Sequence, residues 1–162
     1  MNEEILIYHS IKELNLKCSE TYFGNEEDIS FDTFVLQKNH TKIFPLIWIQ
    51  TPLKIEIENN ETFVNDLTIL ILSNNNNQTV NLLNKERYAK KFKVLEEIRV
   101  ELIENINSKN LNVFGKINIE KNHKFKLKNS QNESNFEIVE SISITFERVQ
   151  ITQNCIKKYC NC

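Results

Sequence analysis

Residues 66–77 read DLTILILSNNNN, from Asp66 to Asn77. Successive side chains of an extended chain alternate between faces, so Leu67, Ile69 and Ile71 point one way and Leu70 and Leu72 the other. A strand that is apolar on both faces needs cover on both sides.

One cover is legible just downstream. The Asn run and Gln78 form a polar loop in which Thr79 or Asn81 can cap a helix. Tyr88, Phe92, Leu95, Ile98, Leu102 and Ile106 then recur at steps of three and four with charges between them, which predicts a helix from about Leu82 to Asn107. At about 1.5 Å per residue it is long enough to lie across a small sheet. A shorter helix is predicted over Asn2 to Asn15. Asn2 caps it, Glu3 and Glu4 favour its first turn, and Ile7, Ile11 and Leu14 form a stripe with Tyr8 beside them.

The remaining segments read as strands. Lys17–Phe23 is closed by Gly24 and the acidic loop NEED, and Ile29–Gln37 follows. In KIFPLIWIQTP, Pro45 marks a strand start or an edge. Ile55 and Ile57 alternate with Glu56 and Glu58, which predicts a strand exposed on one side. LNVFGKINIE and HKFKLK suggest a hairpin over Lys116–Lys128, although its connection, Lys121–Asn122, lacks the usual glycine. FEIVESISITF puts Phe136, Ile138, Ile142, Ile144 and Phe146 on one face with Glu140 as the exception. The order predicts an α+β fold: a mostly antiparallel β-sheet with a short N-terminal helix and one long helix packed on one face. One domain is expected over 1–152, followed by a cysteine-containing tail at 153–162.

A chain of 162 residues is long enough to bury roughly two-thirds of its unfolded surface. The net charge of −2 and pI near 6.0 give no global field toward nucleic acid or anionic membrane. No apolar run approaches the roughly 20 residues needed to span a bilayer. The acidic start MNEEILIYHS does not read as a signal peptide, and a cytoplasmic setting is expected. Gly24 and Gly115 are the two glycines, which excludes a P-loop, a dinucleotide fingerprint and a G-x-S-x-G elbow. The N-x-[ST] sequences at Asn39, Asn60, Asn77 and Asn132 follow from the abundance of Asn and do not read as glycosylation sites.

Candidate chemistry is sparse. Cys155, Cys160 and Cys162 are spaced C-x4-C-x-C, with Cys18 far away, whereas closed zinc sites favour C-x-x-C knuckles. No bound metal, cofactor or disulfide is expected. No local motif joins a cysteine to His9, His40 or His123 as a nucleophile and base, so no catalytic residue is assigned. Two basic clusters remain. Lys85, Arg87, Lys90, Lys91 and Lys93 open the long helix, where Tyr88 and Phe92 are expected in the core. Lys121, Lys124, Lys126 and Lys128 lie in the predicted hairpin and are the better candidates for a surface near DNA.

The second face of the opening strand is then left without cover inside the chain, and Trp48 and Leu53 of WIQTPL add to the apolar surplus. Monomers seldom expose large patches of this kind. Leu70, Leu72, Trp48 and Leu53 are therefore expected at an interface between copies, which a cyclic ring would repeat around its circumference.

The segments TYFGNEEDISF, KIFPLIWIQTP, FVNDLTILILS leading into a long helix, and SISITFERVQITQNC resemble, in that order, the tail-terminator and neck (head–tail connector) proteins of tailed bacteriophages, most closely those of phages with Bacteroidetes-type hosts. The resemblance covers roughly Asn2 to Cys155. It implies a non-enzymatic homo-oligomeric ring, commonly sixfold, in the virion. Such a ring is assembled in the bacterial cytoplasm, contacts portal-connector or tail-tube proteins, and has DNA passing through its lumen. Two other classes stay open on the residues alone: a small metal-binding or enzymatic module using the C-terminal cysteines, and a monomeric binding domain.

Overall fold

The computed structural model describes residues 2–14, 16, 20–25, 45–73, 85–107, 110–129 and 132–152, with side chains outside 20, 85–92, 123–129 and 132–139. Helix α1 spans Glu3–Lys12. Asn2 caps it with its side-chain oxygen, which accepts the Ile5 amide at 3.3 Å. Strands β1 (Glu20–Gly24), β2 (Leu46–Gln50), β3 (Lys54–Glu58) and β4 (Glu61–Ser73) precede the long helix α2 (Lys85–Ile106). Strands β5 (Leu111–Asn129) and β6 (Asn132–Ile151) follow it. The architecture is α+β, with a mostly antiparallel six-stranded sheet. The pair β1–β2 runs parallel.

Strand β4 is the spine. One of its edges is shared by two short strands, β2 beside Ile69–Leu72 and β3 beside Glu61–Asn65. Its other edge is taken by β6, and β6 in turn pairs with β5. A tight turn at Asn59 and Asn60, with φ of 51° and 65°, closes the β3–β4 hairpin. Both residues take the left-handed conformation that a two-residue type I′ turn requires.

Period-2 alternation sends Ile47, Ile49, Leu67, Ile69, Ile71, Ile142, Ile144 and Phe146 to one face of the sheet. Leu6, Ile7 and Ile11 of α1 and Leu95, Ile98, Leu102 and Ile106 of α2 close over the same face and form a single buried core with them. The predicted stripe of the long helix is the face that packs. Tyr88 and Phe92 lie outside the described side chains, and the predicted strand Ile29–Gln37 lies outside the described residues.

Two expectations are corrected. First, the second face of β4 is covered within the chain where it meets β2. Leu70 and Leu72 are 3% and 0% exposed and Trp48 is 1% exposed. They form a second core with Leu46, against which Tyr22 of β1 packs. Leu72 faces Leu46, Leu70 faces Trp48, and Trp48 faces Tyr22 across the parallel pair, so three strands contribute apolar groups to one corner. The Trp48 indole N–H donates to the Gly24 carbonyl oxygen at 2.8 Å, which satisfies its polar edge on burial. Leu53 belongs to the other side of the sheet, packed against the helix-face core.

Second, residues 111–129 do not turn back at Lys121–Asn122. They form one strand, β5, and its hairpin partner is β6, with Asn129 opposite Asn132. The irregularity near Asn122 is a register shift between Asn122 and Phe125. A bulge absorbs an extra residue without reversing the chain, and a reversal there had no glycine to support it. Since β6 meets β4 up to Ser73 opposite Glu140, residues 132–139 and their β5 partners continue past the described end of β4, paired among the described residues only with each other.

A row of irregularities crosses the middle of the sheet. Asp66 has φ 53° and Gly115 has φ 78°. The β5–β6 register shifts between Phe114 and Ile117, opposite Glu147. On the far side, five steps from Ile49 to Lys54 match four from Ile69 back to Asn65, and the cis Thr51–Pro52 peptide lies in that span. Bulges increase local twist and bend a strand. Here they line up in adjacent strands and divide the sheet into two halves.

Candidate functional site

The core rows run outward along the sheet and end uncovered at two opposite edges. On β3, Ile55 and Ile57 face Val64 and Thr62, which are buried, yet the two isoleucines are 41% and 68% exposed. On β5, Ile117 and Ile119 face buried Phe146 and Ile144 and are 36% and 40% exposed. All four project from the face on which the helices pack. Among the described residues β3 pairs only with β4, and β5 pairs as a strand only with β6, so the outer backbone edge is open to another strand along Ile55–Ile57 and along Ile117–Ile119. Long open edges with apolar residues are sites for pairing with another chain.

Polar residues alternate with these isoleucines. On β3 they are Lys54, Glu56 and Glu58, and on β5 Lys116, Asn118 and Glu120. Lys54 Nζ lies 2.7 Å from Asp66 Oδ2, with both side chains more than half exposed. Glu58 accepts from Arg148 Nη2 at 2.7 Å, and Glu56 stands 3.7 Å from the same nitrogen. The Arg148 guanidinium lies 4.0 Å from the Phe63 ring centroid, and Phe63 meets Phe114 edge-to-face at 6.4 Å. This cluster sits on the face opposite the helices and ties β3, β4, β5 and β6 together.

The predicted DNA-facing lysines separate. Lys121 lies inside β5 and forms an ion pair with Glu96 of α2, which also holds Arg99. Partial burial acts to raise the Glu96 carboxyl. Hydrogen bonds from Lys121 and Arg99, with the charges behind them, outweigh it and hold the group below the usual carboxylate value. Lys121 is therefore a strut between sheet and helix. Lys124, Lys126 and Lys128 lie in the part of β5 that continues past the described end of β4, with Lys126 opposite Ile138 and Lys128 opposite Phe136 in register. Their side chains are outside the described set.

The predicted interface residues Leu70, Leu72 and Trp48 are core, as shown above, and do not offer a patch to a neighbour. Cys18, Cys155, Cys160 and Cys162 lie outside the described residues. Among the described residues no three His, Cys, Asp or Glu side chains are grouped to hold a metal ion, and no helix is long and apolar enough to cross a membrane. The residues missed at the sequence level are Ile55, Ile57, Ile117 and Ile119. Their alternation with polar neighbours was visible, but it is the alternation of any half-buried strand. No family model matches the chain, and no curated protein matches it either.

Proposed function

We propose that the chain is a structural subunit that assembles with copies of itself into a ring at the neck or tail end of a tailed bacteriophage, as tail terminator or head–tail joining protein. The observation that carries the assembly is the pair of open edges, β3 and β5, each bearing exposed isoleucines on the same face of one sheet. An edge that pairs with the opposite edge of the next copy makes a head-to-tail contact, and such contacts close into rings when the rotation allows. The phage assignment rests on the resemblance in order of elements described above. In this reading the ring has a multiple of identical contacts, commonly six in that family, and stacks against connector or tail-tube proteins. Lys124, Lys126 and Lys128 on that part of β5 supply weak, salt-screened attraction to passing DNA.

Light scattering on the purified protein, with negative-stain electron microscopy, tests this reading. Closed rings, and detection of the chain in virions, support it. A monomer at high concentration that is absent from particles overturns it.

A further inference from the structure

The two open edges carry a specific charge and apolar code, and its complement is present on the same chain. Across the sheet β3 and β6 run in one direction and β4 and β5 in the other. A copy placed beside β5 in the same orientation therefore offers its β3 antiparallel to β5, which continues the dominant pattern of the sheet. With Ile117 set opposite Ile57 and Ile119 opposite Ile55, every intervening position is also matched. Lys116 meets Glu58, Glu120 meets Lys54, and Asn118 meets Glu56. Oppositely charged residues directly across an antiparallel pair stabilise it, and like charges there oppose it.

We infer that β5 of one copy pairs with β3 of the next in this register, so that the sheet runs continuously from subunit to subunit. The inference rests on the self-assembly reading above and names the surface that carries it. The exposure of the groups fits. Lys54 and Glu58 keep 70% and 50% of their side-chain surface open while holding Asp66 and Arg148, so each has room for a second partner. A two-fold contact of β5 with a second β5 also sets Lys116 against Glu120, but it leaves Ile55 and Ile57 uncovered. A two-fold β3 contact centred on Glu56 sets that carboxylate against its own copy. The β5–β3 pairing covers all four isoleucines at once.

Charge reversal tests the register on the full chain, with assembly read by light scattering and folding by thermal melting. Lys54→Glu sets two acids opposite each other and Glu120→Lys two bases. Each single variant is expected to weaken association about fivefold, from a cross-strand charge contribution of up to about 1 kcal/mol per contact. The melting temperature of the dissociated chain should stay unchanged, because the Lys54–Asp66 pair is exposed and contributes little. The double variant restores the attraction with the signs exchanged and is expected to recover most of the loss. If wild-type protein forms rings but the double variant is as weak as the two single losses combined, the register is wrong and the ring reading stands. If Glu120→Lys weakens assembly while Lys54→Glu does not, the contact is β5 with β5 and the inference fails. A wild-type monomer overturns both readings.

Discussion

Glu147 Oε2 accepts a hydrogen bond from the Lys116 backbone amide at 2.6 Å, across the bulge that Gly115 opens in β5 with φ 78°. The side chain of one strand thus takes the ladder position that the bulge leaves vacant in its neighbour. A Cβ at Gly115 would press into that carboxylate, and an L-residue would also be strained at this φ. Gly115→Ala is expected to cost about 2 kcal/mol, with the left-handed backbone alone accounting for roughly half. Urea denaturation measures it. In a Glu147→Ala background, which has already lost the Lys116 hydrogen bond, Gly115→Ala should cost only the backbone part, about 1 kcal/mol, and an undiminished cost there would contradict this account.

The second core makes a prediction about what Leu70 and Leu72 do. Leu72→Ala is expected to lose about 2–5 kcal/mol of folding stability, and Leu70→Lys more, because it buries a charge among Leu46, Trp48 and Leu72. Both effects should appear as a lowered melting temperature at dilutions where only single chains exist. A variant that melts normally but fails to assemble would return these residues to an interface.

Trp48→Phe keeps most of the ring bulk and removes the donor to the Gly24 carbonyl. The Gly24 carbonyl still accepts the Thr51 amide at 3.2 Å, so the expected loss is that of one buried hydrogen bond, about 1 kcal/mol. A cost within error of zero would show that the indole N–H contributes nothing to this corner.

Glu96 gives the fold a pH signature. Its carboxyl is held below the ordinary value of 4.5, so the folded state binds that proton less readily than the unfolded one. The resulting stabilisation is fully present above the ordinary carboxylate range and is lost as pH falls through the depressed folded value. Glu96→Gln is expected to cost no more than about 1 kcal/mol near neutrality, since the pair is partly exposed to solvent. The two proteins should converge in stability at acid pH. A gap that widens on acidification would reverse the sign of this argument.

Asn60 occupies the second position of the β3–β4 turn at φ 65°, a position where glycine carries no steric penalty. Asn60→Gly is expected to stabilise the chain by roughly 0.5 kcal/mol. Thermal melting in matched buffers measures it, and a loss would mean that the Asn60 side chain contributes to the turn.

The helices and most strands were legible because their signals are local. The steps of three and four through Leu95, Ile98, Leu102 and Ile106 can only face one way on a helix, and all four are buried. The alternation through Ile142, Ile144 and Phe146 specifies one buried face of β6 in the same manner. The break at Lys121–Asn122 was locally ambiguous, since a turn and a bulge both interrupt alternation. Pairing with β6 on both sides of it decided for the bulge.

That Leu70 and Leu72 belong to a second core shared with Leu46 and Trp48 was beyond any local reading. Tyr22 comes from a distant segment and reaches that corner only because β1 lies parallel to β2. The exposed edges show the same limit in reverse. Ile57 and Ile69 look alike in sequence, each a β-branched residue in an extended run. Ile69 has a strand on both sides and is 0% exposed, whereas Ile57 has β4 on one side and is 68% exposed. Periodicity determines which face a side chain takes, because that follows from bonded geometry. Whether the face is covered depends on which distant strand lies next to it, and that is a property of the tertiary fold.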